Sequence, residues 1–141
     1  MTIAHRLTFY GPLMSSPYKS KAGIQRIWNA LFYALDGFAA ALKHEDSFRL
    51  EVVLALALIP LVLSMHIDAV GKALMVASVL LVLIVELINS AIEALTDRVS
   101  LEKHVLAKRA KDLGSAAVML SIINAVVIWL MVLFGGAWLP H

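Results

Sequence analysis

Cysteine is absent from the 141 residues, which excludes disulfides, thiolate metal sites and cysteine nucleophiles. Charge is scarce: Asp, Glu, Lys and Arg make up 16% of the chain against 61% hydrophobic residues, far from the balance of a soluble domain. The formal net charge of +2 is too small to argue for a nucleic-acid partner. No glycine-rich loop ends in Gly-Lys-Ser or Gly-Lys-Thr, and no soluble-kinase signature is present, so nucleotide use must be argued from other residues. Residues 1–20 contain Pro12 and Pro17 and no continuous apolar core. They read as a disordered cytosolic tail rather than a cleavable signal peptide.

What the chain has in abundance is apolar length. Residues 48–67, 73–95 and 113–139 are three stretches long enough to cross about 30 Å of hydrocarbon. Before them, Ile24, Ile27, Trp28, Leu31, Leu35, Phe38 and Leu42 recur at steps of three, four and seven, the pattern of an amphipathic helix over 21–43 suited to the membrane surface. The expected fold is an all-α membrane protein with three transmembrane helices, an N-terminal surface helix and a single membrane domain over 21–141. Of the 12 basic residues only Lys72 lies between the first two spans, and none follows Asp112. The positive-inside rule therefore puts the amino terminus and the 97–112 loop in the cytosol and the carboxyl terminus outside.

The second span breaks its own apolar pattern. Glu86, Asn89, Glu93 and Asp97 follow one another at offsets of three, seven and eleven from the first, so at about 100° per residue they share one helix face of roughly 80°, with Ser90 beside them. An unpaired charge in hydrocarbon costs at least about 2.5 to 3.5 kcal/mol, so such residues are working residues by default. Glu86 lies deepest and Glu93 about 10 Å nearer the cytosol. That division suits phosphoryl transfer from MgATP to a lipid hydroxyl, with hard oxygen ligands near the water and a base near the acyl region. On spacing alone a proton or ion pathway and plain interhelical hydrogen bonding stay open beside it. The Gly114-Ser115-Ala116-Ala117 run at the start of the third span would let another helix approach closely.

The run Glu86-Leu-Ile-Asn89-Ser90-Ala-Ile-Glu93-Ala-Leu-Thr-Asp97-Arg98 and the later Ala110-Lys111-Asp112-Leu-Gly114-Ser115 resemble the signature of the prokaryotic integral-membrane diacylglycerol kinases. Arg26, Tyr33, Gly37 and the Glu45 to Glu51 junction extend the likeness, while Asp46, Ser47 and Thr96 depart from the family pattern. The resemblance implies a homotrimeric bundle in the bacterial cytoplasmic membrane, with active sites shared between subunits and phosphate passed directly from ATP to diacylglycerol. It implies Glu86 as general base, Asn89 as organiser of the site, and Glu45 and Glu93 as Mg²⁺ ligands. Arg26, Tyr33, Glu102, His104, Lys111 and Asp112 would join the two metal ligands in holding the nucleotide. The lipid would meet Ala30, Leu31, Phe32, Tyr33, Ala34, Leu35, Ser47, Phe48, Arg49, Leu50, Glu51, Glu86 and Ser115. Within the family, a polyprenol such as undecaprenol is the alternative lipid.

Overall fold

The computed structural model describes residues 23–99 and 105–135, which form four helices and no strand: α1 Gly23–His44, α2 Asp46–Ser64, α3 Ala69–Val99 and α4 Val105–Phe134. The expected tail of 1–20 lies outside the described residues. The chain divides into two units at Asp36 and Gly37. The described part of the first is the opening of α1, a helix with an apolar stripe through Ile24, Trp28 and Leu31 and with Arg26 off that stripe.

In the second unit, α1 ends with His44, and Lys43 beside it is a cation that suits the negative end of a helix dipole. A single residue, Glu45, then turns the chain into α2. Its backbone is extended (φ −113°, ψ 109°), and its N–H still donates to Ala41 O at 2.9 Å. Arg49 closes the corner. Its Nη1 donates to the carbonyl oxygens of Leu42 and Lys43 at 3.2 Å each, and its Nη2 pairs with Asp46. The last carbonyls of α1 thus find a donor. Beneath this corner Phe48 is fully buried, its ring centroid 6.2 Å from that of Phe38.

α2 runs unbroken through Pro60, and the turn after it is capped from both sides. Asp68 Oδ1 accepts from Val70 and Gly71 N–H at 2.9 Å each, starting α3, and Lys72 Nζ reaches back 2.9 Å to Leu63 O at the end of α2. Gly71 has no room for a side chain: a Cβ there would sit 2.8 Å from Ile67 and 3.0 Å from Val132.

Helix α3 is the centre, because both α2 and α4 pack against it. One third of its most apolar window is buried, against 6% for α4, so α4 turns most of its surface outward. Met75, Val62 and Phe48 are the fully buried large side chains, while Leu56, Val53 and Met131 stand exposed. Surface of that kind is tolerable in lipid or against another subunit and would be a liability in water.

Three helices, α2 with 19 residues, α3 with 31 and α4 with 30, are long and apolar enough to cross a membrane. The apolar runs that begin at Ala73 and Leu113 both start inside a longer helix. At about 1.5 Å per residue, 30 residues reach about 45 Å, more than the hydrocarbon needs. Hydropathy marks the part in lipid; the hydrogen-bond ladder carries on through polar residues at either end.

Candidate active site

The polar face of α3 is turned inward. Glu86 is 5% exposed, Asn89 8% and Ser90 9%, in a helix whose outer face carries the exposed Ile84 and Ile88. Glu93 is half-buried and Asp97 exposed, so burial falls along the face in the order expected from sequence spacing. Two of the buried atoms, Asn89 Oδ1 and Ser90 Oγ, have no hydrogen-bond partner among the described residues. Buried polar groups are nearly always satisfied, so unpaired ones beside a buried carboxylate mark a place that something else completes.

The neighbouring elements bring further charges to this face. Glu45, at the α1–α2 corner, and Glu93 lie close enough to Glu86 for their charges to act on it. The same two carboxylates act on Lys111 of α4, whose Nζ donates to Asp97 Oδ1 at 3.0 Å. One protomer therefore gathers Glu45, Glu86, Glu93, Asp97 and Lys111 from three places in the sequence. Asp46 does not join them. It is exposed and engaged with Arg49, so the corner offers Glu45 rather than Asp46 to the cluster.

On the other side of Glu86 lies Glu51, close enough to feel its charge. Glu51 Oε2 is buried without a hydrogen-bond partner among the described residues. The residue stands at the rim of an apolar cleft of about 480 Å³ between α2, α3 and α4, lined by Leu54, Val82, Ile122, Trp129 and Leu133 among others. A greasy cleft thus meets a carboxyl cluster through Glu51.

The remaining residues singled out from sequence divide into several groups. Arg26, Tyr33 and the 30–35 segment belong to the first unit, and Glu102 and His104 lie outside the described residues. Asp112 is exposed, 3.9 Å from Lys108, one turn away on the same helix. Ser47, Leu50 and Ser115 are exposed. Phe48 and Arg49 are structural at the corner: Phe48 is buried away from any open surface, and Arg49 caps α1. Sequence reasoning missed the far wall of the cleft, Trp129 and Leu133, because one apolar residue in the uncharged stretch after Asp112 looks like another. It also missed the contact between Gly114 and Asn89, where a Cβ on the glycine would run into the Asn89 amide and lie 3.9 Å from its Cα.

Among the described residues no three His, Cys, Asp or Glu converge as a ready metal cage. Mg²⁺ bound with a nucleotide does not need one, since one or two carboxylates serve while phosphate oxygens and water complete the shell. Glu45 and Glu93, hard oxygen donors facing a common cluster, fit that requirement.

Comparison with known proteins identifies the family. The family model for prokaryotic diacylglycerol kinase matches residues 32–133. Relatives named diacylglycerol kinase include one from Pseudomonas aeruginosa, 49% identical over 120 residues, covering 85% of this chain and 98% of that protein. Another, from Escherichia coli, is 45% identical over 112 residues, covering 79% and 92%. A third, from Helicobacter pylori, is 42% identical over 113 residues, covering 80% and 88%. The matched region takes in all three apolar helices and every member of the carboxyl cluster, and on that extent of likeness the chain belongs to the prokaryotic diacylglycerol kinase family.

Proposed function

We propose that this protein is a multi-pass bacterial membrane enzyme that transfers the γ-phosphoryl group of MgATP to the hydroxyl of diacylglycerol, giving phosphatidate and ADP. The observation that carries the chemistry is Glu86, buried at the junction between an apolar cleft and a cluster of carboxylates with one lysine. In the transfer the lipid hydroxyl oxygen bonds to the γ-phosphorus while the bond to the β,γ-bridging oxygen breaks, ADP leaves, and the hydroxyl proton passes to Glu86. The base must stand within hydrogen-bond reach of that proton.

The protein's part in the rest is positioning and charge. Lys111 offers an ammonium to the phosphates. Asn89 and Ser90, with unpaired buried oxygens next to Glu86, supply polar contacts that a bound hydroxyl or water completes. Glu45 and Glu93 would hold Mg²⁺, which when bound would offset the negative charge of the phosphates. Glu51 and the cleft behind it orient the lipid. Arg26, Tyr33, Glu102, His104 and Asp112 complete nucleotide binding on the cytosolic side, where the basic residues of the chain collect.

The assembly is a homotrimer in the cytoplasmic membrane with a cytosolic amino terminus and sites shared between subunits. The breadth of exposed apolar surface on α4 supports it. The deciding experiment is incorporation of γ-labelled phosphate from ATP into lipid by protein purified in mild detergent or lipid, with diacylglycerol and undecaprenol offered together. Label in phosphatidate supports the reading. Label confined to the polyprenol assigns the other substrate, and no ATP-dependent label in either leaves the carboxyl face as a proton or ion path.

A further inference from the structure

We propose that Gly114 is a positioning residue for metal use, acting through the side chain of Asn89 on Glu93. This rests on the assignment of Glu93 as a Mg²⁺ ligand. Gly114 is buried on α4, against the polar face of α3. A Cβ at this position would collide with Asn89 Oδ1, lie 3.4 Å from Asn89 Cγ and come within 3.9 Å of Asn89 Cα. The α4 backbone therefore forms a wall against the oxygen end of the carboxamide. The other end points the opposite way, and Asn89 Nδ2 donates to Glu93 Oε1 at 3.4 Å, one turn along the helix.

An asparagine has only two side-chain torsions, so the wall and the hydrogen bond together leave the amide one orientation. Glu93 is half-buried, and a carboxylate that keeps one oxygen on an amide donor presents the other in a defined direction. Fixing a ligand's partner is how metal sites are commonly tuned, with affinity losses of about ten- to a hundredfold when the partner is lost. An added methyl at residue 114 forces the Asn89 amide to rotate, because the atom it would collide with, Asn89 Oδ1, is the far end of a side chain that can turn. Rotation carries Nδ2 away from Glu93.

The bland alternative is that Gly114 merely lets two helices approach. The two ideas differ in what Asn89 does. If the methyl acts through the amide, shortening residue 89 to alanine removes the obstacle, and Gly114→Ala then has no further effect. If the methyl simply wedges the helices apart, its effect persists.

The test uses the full chain purified in mild detergent with a non-hydrolysable ATP analogue at fixed concentration. It reads the Mg²⁺ concentration giving half of the ligand-induced rise in melting temperature, a binding measurement that needs no turnover. Gly114→Ala is expected to raise that midpoint about tenfold, the size of one hydrogen bond to a charged group, and Asn89→Ala with Gly114→Ala is expected to match Asn89→Ala alone. A wild-type midpoint in Gly114→Ala beside a raised one in Glu93→Gln overturns the relay alone. A further rise in the double variant over Asn89→Ala overturns it too. A wild-type midpoint in Glu93→Gln overturns the metal assignment and the relay with it. Should Gly114→Ala not fold, the double variant decides: folding with the midpoint of Asn89→Ala supports the relay, and failure to fold overturns it.

Discussion

Lys111 Nζ donates to Asp97 Oδ1 at 3.0 Å and so ties the C-terminal end of α3 to α4 across a separation of 14 residues. Both partners are open to solvent, where an ion pair contributes little to stability. The field of Glu45 and Glu93 on the same ammonium gives the pair a second meaning, because it holds the one lysine of the cluster beside the residues proposed to bind MgATP.

From this relationship, Lys111→Met should raise the KM for ATP at least severalfold while leaving the melting temperature close to wild type. Steady-state kinetics and a thermal scan check it together. A large fall in melting temperature with an unchanged KM would make the pair a structural latch.

Glu86→Gln preserves size and shape but cannot take up the hydroxyl proton. Turnover should fall by about 10² or more, with little change in nucleotide affinity measured by titration. Near-normal turnover would remove Glu86 from the proton transfer.

The corner residues make opposite predictions. Glu45→Gln and Glu93→Gln should lose activity that added Mg²⁺ partly restores, since mass action refills a weakened site. Asp46→Asn should not need extra Mg²⁺, because its carboxylate is engaged with Arg49 at the surface. A Mg²⁺-dependent defect in Asp46→Asn and none in Glu45→Gln would reverse that assignment.

Because Glu45 acts on Glu86 within one chain, mixing Glu86→Gln and Glu45→Gln protomers and reassembling them should restore no activity. Recovery in mixed oligomers, verified by crosslinking, would show that the two carboxylates of a working site come from different subunits. If no activity returns, any residues that a second subunit lends to the site come from elsewhere in the chain.

Phe48→Ala should lower stability by about 3 to 5 kcal/mol, the usual cost of emptying a buried aromatic site, and leave the KM for diacylglycerol nearly unchanged. Phe48 is fully buried against Phe38. A raised lipid KM with an unchanged melting temperature would return Phe48 to the lipid-contacting set.

The sequence by itself determined that the chain spans a membrane, roughly where its apolar runs lie, and that Glu86, Asn89, Glu93 and Asp97 share one helix face. These are consequences of composition and of a 3.6-residue period, and both are local properties of the chain. The tertiary structure decided which groups meet across helices: Glu45 rather than Asp46 at the cluster, Lys111 on Asp97, Glu51 at the rim of the cleft, and Gly114 against Asn89. No local period encodes those meetings, because each depends on how two helices cross and on which side chain has already been claimed by a neighbour. Arg49 shows the difference plainly. In sequence it is one more charge at a membrane junction, and in the fold its guanidinium is held by two carbonyls and Asp46.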